Sequence, residues 1–272
     1  MSFKIGFTAE AENDNKRIIE NTPVQKEAPI FKKSVVEVFF PDRQKAYSYY
    51  NDMFDLKRGD VVYVEGKLEG LRGRVTQINY NFKIKLSDYK RVIGVANTDV
   101  IGEFHLAGSH FITIDSDALT YEQVSTWFKA HDNGEEEYVS LNGDEVFNLN
   151  DLGGMNIKNE IAERGHEYYM ENRVVYIELN HGKGRALVTG SKTYDVEFSY
   201  NGEDISGLVC NCYCTGACKH EFATMLQLRE ILAIIKKEYP FVEHNDYLSA
   251  VSKTSFFEFV IDGNTKGTFT MG

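Results

Sequence analysis

The chain has 272 residues, 42% hydrophobic and 26% charged, a globular composition with room for one large core or two to three small ones. Its 30 Lys and Arg against 41 Asp and Glu give a net charge of -11, which excludes indiscriminate coating of nucleic acid, because that mode needs surplus cations. No apolar run reaches the roughly 18 residues of a membrane span, and the first residues lack the apolar stretch of a secretory signal. A cytoplasmic protein with no membrane partner is expected.

Residues 1–34 mix charge, Asn and Pro with short apolar clusters such as Ile18-Ile19, and read as a flexible arm. Residues 35–98 change to β texture. Val35 to Phe40, Tyr47 to Tyr50, Val61 to Val64, Arg74 to Ile78 and Phe82 to Leu86 are predicted strands, punctuated by Gly59, Gly66, Gly70 and Gly73. Short strands with glycine turns and no long helix predict a small N-terminal β-barrel. Residues 35–95 carry 11 Lys and Arg against 8 acids, and Arg58, Lys67, Arg72, Arg74, Lys83 and Lys85 are its candidate basic face. The run from Leu56 through Gly59-Asp60, Val61 to Val64, Gly66, Gly70 and Gly73 to Val75 resembles the KOW and related SH3-like modules of transcription and translation factors. That resemblance implies docking to nucleic acid or a polymerase; a structural barrel with a solvated face is the plainer reading.

Residues 99–155 reverse the charge, with Lys129 alone against 12 acids, and are read as an acidic α+β region. Strands are predicted around Val92 to Val95 and His110 to Ile114. Thr120, with Gln123 three residues on, predicts the start of a helix whose Val124, Trp127 and Phe128 share a face. Asp115 and Asp117 read as the turn before it. His131 to Glu137 reads as a solvated acidic turn, and Tyr138-Val139 and Val146-Phe147 as short strands.

Residues 156–240 hold the most organised part. A short helix carries Ile157, Ile161, Arg164, Gly165, Tyr168 and Tyr169. Strands follow at Arg173 to Leu179, Arg185 to Gly190 and Tyr194 to Tyr200, the last placing Tyr194, Val196, Phe198 and Tyr200 on one face. Asn201-Gly202 is a hairpin signal before Leu208-Val209-Cys210. A three- or four-stranded antiparallel sheet is expected here. Lys219 to Tyr239 is the strongest helical pattern, with Phe222, Met225, Leu226, Leu228, Leu232 and Ile235 inward, Gln227, Glu230 and Lys237 outward, and Pro240 as its stop. Residues 241–272 read as a C-terminal hairpin. The fold class predicted for the whole is α+β.

Between the hairpin and the long helix, residues 210–220 hold all four cysteines and one of the seven histidines. So close a spacing cannot staple distant loops, so it is a poor disulfide framework; it suits tetrahedral Zn2+ bound through thiolate and imidazole. Cys210, Cys212, Cys218 and His220 form one ligand set, and Cys212, Cys214, Cys218 and His220 form another. The wider loop of the first strains less, and it is preferred, with Cys214 left as a free thiol. Four ligands leave no place for water, so the site is read as structural.

The Cys-x-Cys and Cys-x-His pairs, preceded by Ile161, Arg164-Gly165, Tyr168-Tyr169, Arg173-Val174 and Ala186 to Tyr194, resemble the SWIM zinc-finger family over residues 156–232. The pattern is similar to modules of bacterial relatives of Swi/Snf-type helicases. Members often carry Pro after the second cysteine and a longer loop; Tyr213 and the extra Cys214 depart from that. The resemblance implies DNA or a protein partner such as a separate helicase. Lys183, Arg185, Lys192, Lys219 and Arg229 are the candidate phosphate-facing residues. No Gly-x-x-x-x-Gly-Lys stretch accompanies the motif, and neither His166-Glu167 nor His220-Glu221 continues to a second histidine four residues on. His105, His110 and His131 are too scattered to be ligands. No catalytic residue and no small-molecule substrate is predicted. A protein-protein adaptor or inhibitor with a purely structural zinc is the alternative to a DNA-associated accessory protein.

Overall fold

Val36, Val38 and Phe40 alternate inward along the first strand, β1 (Ser34–Phe40), as period-two patterning requires of a half-buried strand. The computed structural model describes residues 32–100, 102–114, 119–130, 145–238, 247–261 and 269–271. The predicted arm up to residue 31, Asp115 and Asp117, His131 with its acidic turn, the Tyr138-Val139 strand and the helix stop at Tyr239 and Pro240 lie outside them.

β1 is followed by β2 (Lys45–Asn51), β3 (Val61–Val64), β4 (Gly73–Asn79) and β5 (Val92–Val95), joined in the order β2-β1-β4-β3-β5. The predicted barrel is corrected by this order. Among the described residues neither sheet of the protein closes on itself, and β2 meets the far edge only through an isolated bridge between Tyr50 and Arg91. Two causes are visible. Phe82 to Leu86, expected as a strand, joins no ladder and runs into a 3-10 turn at Leu86–Asp88. β3 and β4 share only the register pairs Val61 with Arg74 and Val62 with Gly73, too short a ladder to wrap.

Among the described residues the second sheet has nine strands. β6 (Gly102–Ala107), β7 (Phe111–Ile114), β8 (Val146–Asn148), β9 (Val174–Asn180), β10 (Lys183–Thr189), β11 (Thr193–Tyr200), β12 (Asp204–Cys210), β13 (Tyr247–Ser252) and β14 (Phe269–Met271) run in the order β14-β6-β7-β13-β9-β10-β11-β12-β8. Every neighbouring pair is antiparallel except β14 with β6. The expected three or four strands are its centre, β9 to β12. Strands from the acidic region and the C-terminal part extend both edges, so these segments share one sheet with the cysteine-bearing strand. The mixed α+β class holds.

The helices are α1 (Tyr121–Phe128), α2 (Asn159–Met170), α3 (Lys219–Glu238) and α4 (Lys253–Phe256). The sheet's alternation sorts them. Ile177, Leu179, Ala186, Val196 and Phe198 pack with Met225, Leu228 and Ile231 of α3, while Tyr176 and Leu187 pack on the other face with Val124 and Trp127 of α1 and Phe256 of α4. The first half of α3 is buried on nearly all sides, including Gln227, expected to face outward but 2% exposed. It lies between the sheet and α2, and the Gln227 amide is satisfied by Glu230 at 2.8 Å. The first arm of the expected C-terminal hairpin, Ser255 to Ile261, is instead helical, and its turn at 262–268 lies outside the described residues. Ser252 ends β13 and accepts the Ser255 amide at 3.2 Å, an N-cap that turns the chain out of the sheet.

α1 and the helical turn Phe257–Ile261 after α4 link the second sheet to Val61 of the first and to the segment after β5. Trp127 Nε1 donates to the Asn97 carbonyl at 2.5 Å, Gln123 Nε2 donates to that of Asp99 at 2.6 Å, and Arg72 pairs with Glu258 at 3.2 Å. Among the described residues no helix is long and apolar enough to cross a membrane.

At Gly165 α2 packs tightly on α3. A β-carbon there would sit 2.9 Å from Phe222 and 3.0 Å from the Lys219 carbonyl. Gly165→Ala is therefore expected to cost about 1–3 kcal/mol by overpacking. Urea unfolding checks this, and an unchanged midpoint would contradict the packing described.

Candidate metal centre

The cysteines sit where β12 leaves the sheet and α3 begins. Cys210 closes β12 opposite Val196 of β11, so its side chain shares the α3 face of the sheet. Cys218 immediately precedes α3, and its carbonyl accepts the first helical hydrogen bond from the Phe222 amide at 3.1 Å. Cys218 is therefore the helix N-cap. Its sulfur takes the Glu221 amide at 3.5 Å, and the Glu221 carboxylate takes the Cys218 amide at 2.7 Å. This is the reciprocal pattern of a capping box with cysteine in the serine position.

One ligand atom from each of Cys210, Cys212, Cys218 and His220 lies within 4.8 Å of the other three, with Cys218 and His220 buried. His220 Nδ1 is 3.6 Å from Cys210 Sγ and 3.7 Å from Cys218 Sγ. A tetrahedral ion with Zn–S about 2.3 Å and Zn–N about 2.05 Å places sulfur and nitrogen about 3.6 Å apart. The cluster is thus geometrically consistent with a zinc site. Cys214 is exposed and outside the four, although its amide and thiol lie close to Cys212.

A shell of aromatic rings surrounds the imidazole. Tyr194 stacks on His220 with centroids 4.0 Å apart, and Tyr168 meets it edge-on at 5.4 Å. His220 Nε2 is buried with no hydrogen-bond partner, so the ring is oriented by packing and not by the usual acceptor on its far nitrogen. Burial holds this imidazole neutral down to about 4, helped by the charges of Lys219 and Arg164.

The thiols behave oppositely. Burial lifts Cys212 to about 12, and a hydrogen bond with Cys210, then burial and the Glu221 charge, raise Cys218 strongly. Burial also raises Glu221. In the metal-free protein the imidazole is ready to bind, whereas these two thiols must each lose a proton. The affinity for zinc should therefore rise with pH, by at least about two log units per pH unit near neutrality. Chelator competition at several pH values checks this; a flat profile would contradict it.

Asp195, in β11, organises the Cys-x-Cys turn. Its backbone amide donates to Asn211 Oδ1 at 3.0 Å, and its carboxylate accepts Asn211 Nδ2 at 2.8 Å and Lys129 Nζ at 2.6 Å. The Tyr121 hydroxyl donates to the same carboxylate, so α1 is tied to the metal loop. A cleft of about 1920 Å³ runs beside this loop, with Lys192, Asp195 and Tyr213 on one side and Glu65, Glu69 and Arg72 on the other.

The candidate basic residues do not form one face. Arg72 pairs with Glu258, and Arg74 donates to the Gly59 carbonyl at 3.1 Å; Arg185 pairs with Glu122 at 3.1 Å on the α1 side of the sheet. Lys183 starts β10, at the end remote from the cysteines, and Arg229 lies further along α3. Lys192 and Lys219 are the two beside the cluster. His105 and His110 join no metal-capable group among the described residues. The spacing Cys218 to Glu221 could have revealed the capping box, but Asp195 had no sequence signal, since its role depends on the β11–β12 register. Comparisons of the chain with protein-family models, curated proteins and solved structures give no match.

Proposed function

We propose that the chain is a non-enzymatic zinc-binding accessory protein of SWIM type, working in the cytoplasm in association with DNA or within a nucleic-acid-processing complex. The observation that carries this is the Cys3His cluster at the corner of β12 and α3. Four ligands fill a tetrahedral ion, so zinc bound there by Cys210, Cys212, Cys218 and His220 would hold the loop in shape and leave no position for a reacting water. A protein-protein adaptor is the second reading, favoured by the net charge of -11 and by the carboxylates that already engage Arg72 and Arg185. Titration of labelled single- and double-stranded DNA with the zinc-loaded protein separates the two. Binding that weakens steeply with salt is expected. No binding to either form, with a protein co-purifying from the native cell, would overturn the DNA-associated reading in favour of the adaptor.

A further inference from the structure

Tyr213 is 88% exposed, the highest value among the exposed large hydrophobic side chains of the described residues. It projects from the turn between Cys212 and Cys214, so its backbone is anchored beside the metal cluster while its ring belongs to none of the hydrophobic clusters of the described residues. Lys192 Nζ lies 5.3 Å from the centroid of that ring and 5.6 Å from that of Tyr194, the ring stacked on His220. Lys219 Nζ lies 4.2 Å from the centroid of Tyr168, the ring that meets the same imidazole edge-on. Arg164 is exposed one residue before Gly165, the position that touches the Lys219 carbonyl. Among the described residues none of Lys192, Lys219 and Arg164 forms an ion pair with a carboxylate.

We infer that this rim of the metal loop binds single-stranded nucleic acid, with a base stacked on Tyr213 and backbone phosphates met by Lys192 and Lys219. The inference rests on the nucleic-acid reading above and narrows it to a strand form and a surface. An outward aromatic ring needs a flat partner, and a base offers its face only when unpaired. The cations are few and local on a chain of net charge -11. They suit a short stretch of backbone and not the two phosphate rails of a duplex. Each phosphate neutralised on a single strand contributes about -0.7 to the salt slope, so Lys192 and Lys219 together set it at about -1.4.

Tyr213→Trp provides a direct reporter, because the chain's only tryptophan, Trp127, is fully buried. In the zinc-loaded full chain, the exposed indole emission should be quenched by oligo(dT) or oligo(rU) about 12 nucleotides long, and not by a duplex of that length. Comparing the two oligomers separates DNA from RNA, and quenching by either supports the inference. Tyr213→Ala should weaken single-strand binding about tenfold with zinc content unchanged, and Lys192→Ala should flatten the salt slope by about 0.7. Binding that is indifferent to Tyr213→Ala, or an unquenched reporter in a protein that binds DNA, would overturn this assignment and leave the accessory-protein reading standing. Failure of the wild-type chain to bind either strand form would overturn both, as would a protein partner whose capture alone depends on Tyr213.

Discussion

Cys218→Ser is expected to abolish stoichiometric zinc while leaving the start of α3 capped. Serine is a strong N-cap residue, and its hydroxyl can still accept the Glu221 amide as the Cys218 sulfur does at 3.5 Å. The substitution therefore separates loss of a metal ligand from loss of a helix cap. At free zinc about a thousandfold above Kd, bound metal contributes about 4 kcal/mol, which for a chain of this size is about 8–16 °C in Tm. Thermal scans with and without a chelator should show that difference for wild type and none for Cys218→Ser. Cys214→Ser is the control, since Cys214 lies outside the cluster, and it should keep both the metal and the chelator-sensitive shift. The reverse pattern, with zinc retained in Cys218→Ser and lost in Cys214→Ser, would contradict the ligand set.

Asp195→Ala is expected to lower zinc affinity about 10- to 100-fold without touching a ligand. The carboxylate holds Asn211, the residue between Cys210 and Cys212, and also receives Lys129 and Tyr121 from the α1 side. Removing it loosens the Cys-x-Cys turn, which then keeps only the hydrogen bonds of Asn211 to the residue-195 backbone, and leaves Lys129, whose side chain is 34% exposed, without its counter-charge. The stability cost, with two charge-assisted hydrogen bonds and a half-buried pair lost, is on the order of 3 kcal/mol. Asp195→Asn keeps one carbonyl acceptor and should fall between wild type and alanine. Hydrogen exchange of α1 amides reports the second effect: they should lose protection in Asp195→Ala even with zinc in excess. Unchanged zinc affinity and unchanged α1 protection would show that the network is incidental.

How much of this could be read from sequence depended on the range of each interaction. The ligand cluster was legible because its members lie within eleven residues, where spacing limits geometry. The strand at β1, the amphipathic face of β11 and the Thr120 cap of α1 were legible for the same local reason, and Thr120 Oγ1 does accept the Gln123 amide, at 3.3 Å. Closure of a barrel was not local. It required Phe82 to Leu86 to find a ladder partner; the segment alternates half-buried and exposed residues up to Lys85, yet pairs with no strand. Nor could alternation reveal that strands from residues 102–114 and 247–252 would extend the sheet beyond β9, with β13 paired directly to it. Ser255 to Phe259 is rich in aromatic residues and reads as strand, but the Ser252 cap and the burial of Phe256 and Phe259 against Trp127 favour a helical turn. Gln227 was misplaced because period 3.6 marks one buried face, whereas α2 and the sheet bury two.

At the centre stands a Cys3His cluster with the geometry of a zinc site, which joins β12 to α3 and, through Asp195, to α1. Metal analysis of freshly purified native protein tests it most directly. The account predicts one zinc per chain in wild type and Cys214→Ser, and none in Cys218→Ser. Wild-type protein without zinc, which fails to take it up under reducing conditions, would contradict it.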